Sequence, residues 1–123
     1  MKSYSENFKV EFKKRQYDFT LKLIDLIDSL PKDNVSYRIG DQLLRSGTSV
    51  IANYIEGQSA SSKKEFINFL NISLRSANEC KVWLALLRDS KRLNKDKANW
   101  FLNEIKEISK ILASSLITLR RKR

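Results

Sequence analysis

Apolar residues recur at three- and four-residue steps along almost the whole chain, in four runs separated by short polar breaks. That spacing is the period of one face of an α-helix. The first run extends from about Ser5 to Leu30, with Phe8, Phe12, Phe19, Leu23, Leu26, Ile27 and Leu30 on one face. Pro31 ends it, because the residue before a proline is pushed out of the α region. Lys32-Asp33-Asn34 forms the turn. The second run begins near Ser36, the expected N-cap, and reaches about Glu56. Ile39, Leu43, Gly47, Val50 and Tyr54 form its stripe, with Ile51 and Ile55 beside it. Glycine inside a helix costs about 1 kcal/mol relative to alanine, so Ser46 and Gly47 predict the close approach of another helix backbone. Gly57 is expected to take the left-handed position that closes the helix.

Gln58-Ser59-Ala60-Ser61 makes the next turn. Ser62 then caps a third helix, and Glu65 at its third position completes a capping box. This helix runs to about Asp89 and lines one face with Phe66, Phe69, Leu70, Ser73, Ala77, Cys80, Leu84 and Leu87. The fourth starts near Asn94, where Leu93 and Ala98 suit a hydrophobic staple, and continues to about Leu119. Its stripe is Phe101, Ile105, Ile108, Leu112, Leu116 and Leu119. Both helices carry apolar residues off these stripes, and a helix apolar on several sides is buried on several sides. Val82, Trp83, Leu86, Trp100 and Leu102 are therefore expected at a subunit interface. Short connections between long helices make neighbours antiparallel. The expectation is an all-α, up-down-up-down four-helix bundle, a single domain over residues 1–119, followed by a basic tail at 120–123.

Three glycines and one proline are too few for a turn-rich β protein. Twenty-four Lys and Arg against fourteen Asp and Glu leave a net charge of +10, which favours an anionic partner. A single cysteine, Cys80, rules out a disulfide within the chain and fits a reducing compartment. No apolar run approaches the roughly 20 residues of a membrane span, and the first residues lack the apolar segment of a signal peptide. The expected location is the cytoplasm, with no membrane partner.

The chain contains no histidine. No Ser-His-Asp or Cys-His arrangement can form within it, the Glu-x-x-His motif of di-iron bundles is missing, and one cysteine cannot build a zinc site. Asp25 with Asp28, and Glu104 with Glu107, share helix faces that suit a hard cation but are equally ordinary surface pairs. Glu56 and Glu79 lie near packed stretches, where a carboxylate needs a partner; Arg45 or Arg75 is expected to supply it in a structural ion pair. No glycine-rich phosphate loop is present. No catalytic residue, metal or cofactor is expected.

The remaining signal is basic. Lys9, Lys13, Lys14 and Arg15 cluster on the first helix, with Lys22 further along, and Arg88, Lys91, Arg92, Lys95 and Lys97 surround the last turn. Such clusters neutralise phosphates and release counterions, giving salt-sensitive binding. Tyr4, Tyr17 and Tyr37 suit base stacking where exposed. A solvated helix face is the plain alternative, since Lys14 can pair with Asp18, and Lys22 with Asp18 or Asp25.

The order Arg45-Ser46-Gly47-Thr48-Ser49-Val50-Ile51-Ala52-Asn53-Tyr54-Ile55-Glu56-Gly57, followed by Ser62-Lys63-Lys64-Glu65-Phe66, Phe69-Leu70, Ile72, Ser76 and Glu79, resembles the four-helix-bundle proteins of the 23S rRNA intervening-sequence family. The likeness covers about Tyr17 to Leu119. Many relatives carry Pro-Ser-Asn-Ile-Ala-Glu-Gly where this chain has Ile51-Ala52-Asn53-Tyr54-Ile55-Glu56-Gly57, so the second helix here is expected to be straighter. The resemblance implies a basic bundle assembled as a ring-shaped homopentamer. Through a related branch, the accessory proteins of diversity-generating retroelements, it implies RNA or DNA and a reverse transcriptase as partners. Five copies at +10 each would place +50 on one ring. Three functions stand open: an oligomeric nucleic-acid-binding or adaptor protein, an oligomeric protein-interaction module, and a metal-dependent hydrolase.

Overall fold

The computed structural model describes residues 4–121, with side chains from Glu6 onward. Tyr4 as a stacking group, and Lys122 and Arg123 of the tail, lie outside the described side chains. Four helices follow one another: α1 Tyr4–Asp28, α2 Asn34–Gln58, α3 Lys63–Asp89 and α4 Lys95–Arg121. Each packs on its chain neighbour, and α1 closes the square against α4. The seam between α2 and α3 is the most extensive and that between α1 and α4 the slightest. This is the antiparallel four-helix bundle.

One core runs its length. Phe12, Phe19, Leu23 and Leu26 of α1 meet Leu43, Val50 and Tyr54 of α2, Leu70, Ala77, Cys80, Leu84 and Leu87 of α3, and Phe101, Ile105, Ile108, Leu112 and Leu116 of α4. Phe12 stands edge-on to Tyr54, and Phe19 edge-on to Phe101. Burial pushes the Tyr54 hydroxyl up to about 12 and the Cys80 thiol up to about 11, so neither ionises near neutral pH. The α2–α3 seam owes its closeness to small residues whose hydroxyls all find partners. Ser73 donates to the Val50 carbonyl at 2.7 Å, Ser76 to the Ser49 hydroxyl at 2.8 Å, and the Cys80 thiol to Ser46 at 3.4 Å. A buried hydroxyl left unpaired would cost about 1–3 kcal/mol.

Three local expectations are corrected. Asp33, not Ser36, caps α2: its carboxylate accepts from the Ser36 N–H at 2.8 Å and from the Ser36 hydroxyl at 3.0 Å. Asp33 is extended, as an N-cap must be, whereas Ser36 is already helical. Gly57 does not close α2 in a left-handed conformation; the helix continues to Gln58 and Ser59 is its C-cap. Glycine gives room there, since a Cβ would stand a tight 3.1 Å from Phe66 Cδ1 and 3.3 Å from Phe69 Cβ. Gly47 does mark close packing, but its room is taken by the Leu23 side chain of α1 rather than by an approaching backbone. Ser62 caps α3 as expected, accepting from the Glu65 N–H at 3.1 Å, while the Glu65 carboxylate takes the Ser61 hydroxyl at 3.0 Å.

Candidate nucleic-acid interface

The turn between α3 and α4 is built by hydrogen bonds that wind backwards. The Arg92 N–H reaches the Leu87 carbonyl at 2.9 Å and the Lys91 N–H reaches Arg88 at 3.0 Å. That pair of bonds is the Schellman closure, which requires a left-handed residue between them, usually glycine. Here it is Lys91, at φ 61°, the one non-glycine with positive φ among the described residues. A side chain in that region costs about 1–2 kcal/mol. Leu93 and Ala98, buried on either side of the α4 start, anchor the turn to the core. The Asn94 side chain caps α4 by accepting from the Lys97 N–H at 3.1 Å.

Arg88, Asp89, Lys91, Arg92, Leu93, Asn94 and Lys95 line an open recess of about 560 Å³ at this turn. Arg88 donates to Asp89 at 2.9 Å and to Asn99 at 2.9 Å. Its guanidinium holds the Asp89 carboxyl below the usual carboxylate range. Arg92 reaches Asp33 at 3.5 Å and so ties the α1–α2 turn to the α3–α4 turn at one end of the bundle. Asp33 is held low first by the Ser36 N–H and further by Arg92. Lys91, Lys95 and Lys97 are exposed, with no ion pair among the described residues. The five expected cations therefore divide in role: two arginines shape the turn and three lysines carry its outward charge. Lys32, in the neighbouring turn and also exposed, adds to the same end, as the up-down-up-down order requires and the Arg92–Asp33 tie shows directly.

The cluster on α1 divides between two sides of the helix. Lys9 and Lys13, four residues apart, share one side, while Lys14 and Arg15 line one recess toward α4. Arg15 turns to α4 and grips Glu104 through two bonds of 2.9 and 2.8 Å. That pairing raises the arginine and lowers the Glu104 carboxyl. That recess also holds Phe8, Glu11, Asp18 and Ile111, and Lys13 is exposed. Glu107 sits 3.6 Å from Lys110, so both members of the Glu104 and Glu107 pair are engaged by cations. Among the described residues no group of three potential ligands is placed to hold a metal. Glu56 and Glu79 are exposed rather than buried, and Arg45 and Arg75 are exposed as well. The rotation of α2 and α3 turns both carboxylates to solvent, where they need no ion pair.

The five expected interface residues also separate. Val82 and Leu86 are 53% and 46% exposed on α3, while Trp83 and Leu102 are half-buried against the core. Trp100 stands at the α1–α4 edge beneath Lys22, whose ammonium lies 4.7 Å from the indole centre. A second exposed apolar face, missed in the sequence, lies across α1 and α2. Tyr37 and Leu44 border a recess shared with Ile27 and Asp28. From Asp28, exposed Ile24, Leu21 and Tyr17 climb α1 at three- and four-residue steps, the same helix side. The spacing was available in the sequence, but only the bundle's rotation separates that stripe from the core stripe beside it.

Comparison with known proteins places this geometry in a family. The model of the 23S rRNA-intervening sequence protein family matches residues 9–114. No curated protein matches the chain. Among solved structures, a Bacteroides thetaiotaomicron protein of unknown function from the S23 ribosomal protein family superposes with a TM-score of 0.82. It is 33% identical, and the match covers 88% of this chain and 96% of that one. The chain belongs to the 23S rRNA-intervening sequence protein family.

Proposed function

We propose that the protein is a non-enzymatic, self-associating nucleic-acid-binding or adaptor protein of the cytoplasm. RNA or DNA meets the bundle end formed by the two turns, and the assembly, a homopentamer by family likeness, supports a reverse transcriptase or another RNA-related process. The observation that carries this reading is Lys91. The Schellman closure favours glycine at that position, yet the chain keeps a lysine there, exposed, at the rim of a cationic recess. Packing of the turn sets the left-handed backbone, and a lysine kept where glycine would fit better supports a role for its charge. Lys95 lines the same recess, Lys97 and Lys32 lie toward the same end of the bundle, and a net charge of +10 attracts polyanions. Self-association is supported by the apolar stripe of Tyr17, Leu21, Ile24, Tyr37 and Leu44, since contiguous exposed apolar surface marks a contact site.

The test separates charge from backbone. Lys91→Gly relieves the left-handed strain and removes one cation. We expect a melting temperature raised by the equivalent of about 1 kcal/mol, together with weaker binding of generic RNA and DNA by fluorescence anisotropy. The slope of log affinity against log salt should shrink by about one phosphate contact. Unchanged affinity would remove this turn from the binding surface. An absence of nucleic-acid binding even at low salt, beside a stable complex with a protein, would replace the reading with a protein-interaction module.

A further inference from the structure

Trp100, like Tyr37 of α2, is a large aromatic that the bundle leaves open near this cationic end. It lies in the second turn of α4, 45% exposed, with its edge set against buried Phe101 at 4.9 Å and 81°. Phe101 in turn is locked edge-on against Phe19 across the core. The indole thus packs on Phe101, while the Lys22 ammonium of α1 lies over its ring. On that side lies a recess of about 300 Å³ lined by Lys22, Asp25, Leu26, Lys97, Trp100 and Phe101. That volume is at the small end of what holds an organic ligand. Lys97, one helical turn before Trp100, continues into the lysines of the α3–α4 turn.

We propose that this recess seats a single unpaired base of RNA or DNA, stacked on Trp100, with the flanking phosphates on Lys22 and Lys97. This rests on the nucleic-acid reading above and adds to it a preference for single strands. An exposed aromatic plane offers any base a π-face, and lysines beside it track the backbone, the two parts that single-strand binding sites combine. The Lys22 ammonium, now over the ring, is already at the place where a phosphate would arrive. Binding exchanges its contact with the indole for one with the phosphate and frees the face for the base. Asp25, the one anion in the lining, keeps phosphate away from its own side and offers an acceptor to a base amino group. A paired base has both of its faces covered by the duplex stack and does not enter a recess of this size.

Intrinsic tryptophan emission reads the contact directly. The chain has two tryptophans, and Trp83 is half-buried with its indole nitrogen enclosed. The probes are a twelve-nucleotide oligouridylate, the matching oligothymidylate and a blunt duplex of equal charge. Both single strands are expected to quench emission on binding and the duplex is not. Trp100→Ala should abolish the quenching and weaken single-strand affinity by about tenfold, with duplex affinity by anisotropy unchanged. Trp100→Phe keeps an aromatic face, so it should retain single-strand affinity within about threefold while losing the emission signal; it tests the proposal even where the alanine variant fails to fold. Single strands that bind without quenching, or with equal affinity to Trp100→Ala, would overturn the stacking site while leaving the basic turn intact. No binding of any probe would overturn both. A lower mass by light scattering in both Trp100 variants would assign the residue to a subunit contact and overturn the stacking role.

Discussion

Gly47 offers the sharpest test of the packing, because two opposing effects of known size meet at one atom. Alanine there removes a helix-interior glycine, worth about 1 kcal/mol in favour. The added Cβ runs into Leu23 Cδ2, a fully buried side chain, with Cys80 Sγ at 3.9 Å closing the other side. Leu23 must leave its rotamer, and overpacking of that kind costs about 1–3 kcal/mol. The net expectation is a loss of about 0–2 kcal/mol, and Gly47→Leu should lose clearly more. The single variant is thus less telling than its coupling to Leu23. Leu23→Ala alone leaves a cavity and should cost about 2–5 kcal/mol. In the double variant Gly47→Ala with Leu23→Ala, the clash is gone and part of the cavity is filled. The pair should therefore be more stable than the sum of its singles by about 1 kcal/mol or more. Denaturant unfolding at one fixed protein concentration measures this, since self-association would otherwise move the midpoint. Strict additivity within about 0.5 kcal/mol, or an unchanged melting temperature in Gly47→Leu, would refute the contact.

Two further outcomes are expected from other parts of the molecule. Glu104 ordinarily titrates near 4.5, and Arg15 holds it lower in the fold. Its contribution is complete above about 4.5 and lost as pH falls through the depressed value. Arg15→Gln or Glu104→Gln should flatten that acid limb and cost at most about 1 kcal/mol at neutral pH, because the pair is partly solvated; an acid limb identical to the parent's would remove the pair from the account. Leu21→Asp with Leu44→Asp should lower the mass seen by light scattering without lowering helicity. Leu86→Asp with Val82→Asp tests the alternative face on α3, and the variant that leaves the mass unchanged loses its claim to the interface.

The sequence alone determined the helices and most of their ends. Their apolar residues repeat at the helical period, Pro31 forbids continuation, and Ser62 stands where a cap must stand before an apolar run. It also determined which chemistry was open, since a chain without histidine and with one cysteine has few catalytic arrangements to offer. Rotation and proximity were decided elsewhere. Whether Glu56 and Glu79 faced core or solvent depended on how α2 and α3 turned against their neighbours, which pattern near the edge of a stripe does not settle. Asp33 and Ser36 were both chemically fit to cap α2. Asp33 serves as the cap while its carboxylate also answers Arg92 from the distant turn. Gly57 carried the local signature of a left-handed stop, yet what it provides is room for the Phe66 ring and the Phe69 Cβ of the next helix. Lys91 carried no such signature and takes the left-handed position anyway, because Leu87, Leu93 and Ala98 must all be buried across the turn it closes. Local backbone preference is worth about a kcal/mol, and burial of three apolar side chains outweighs it.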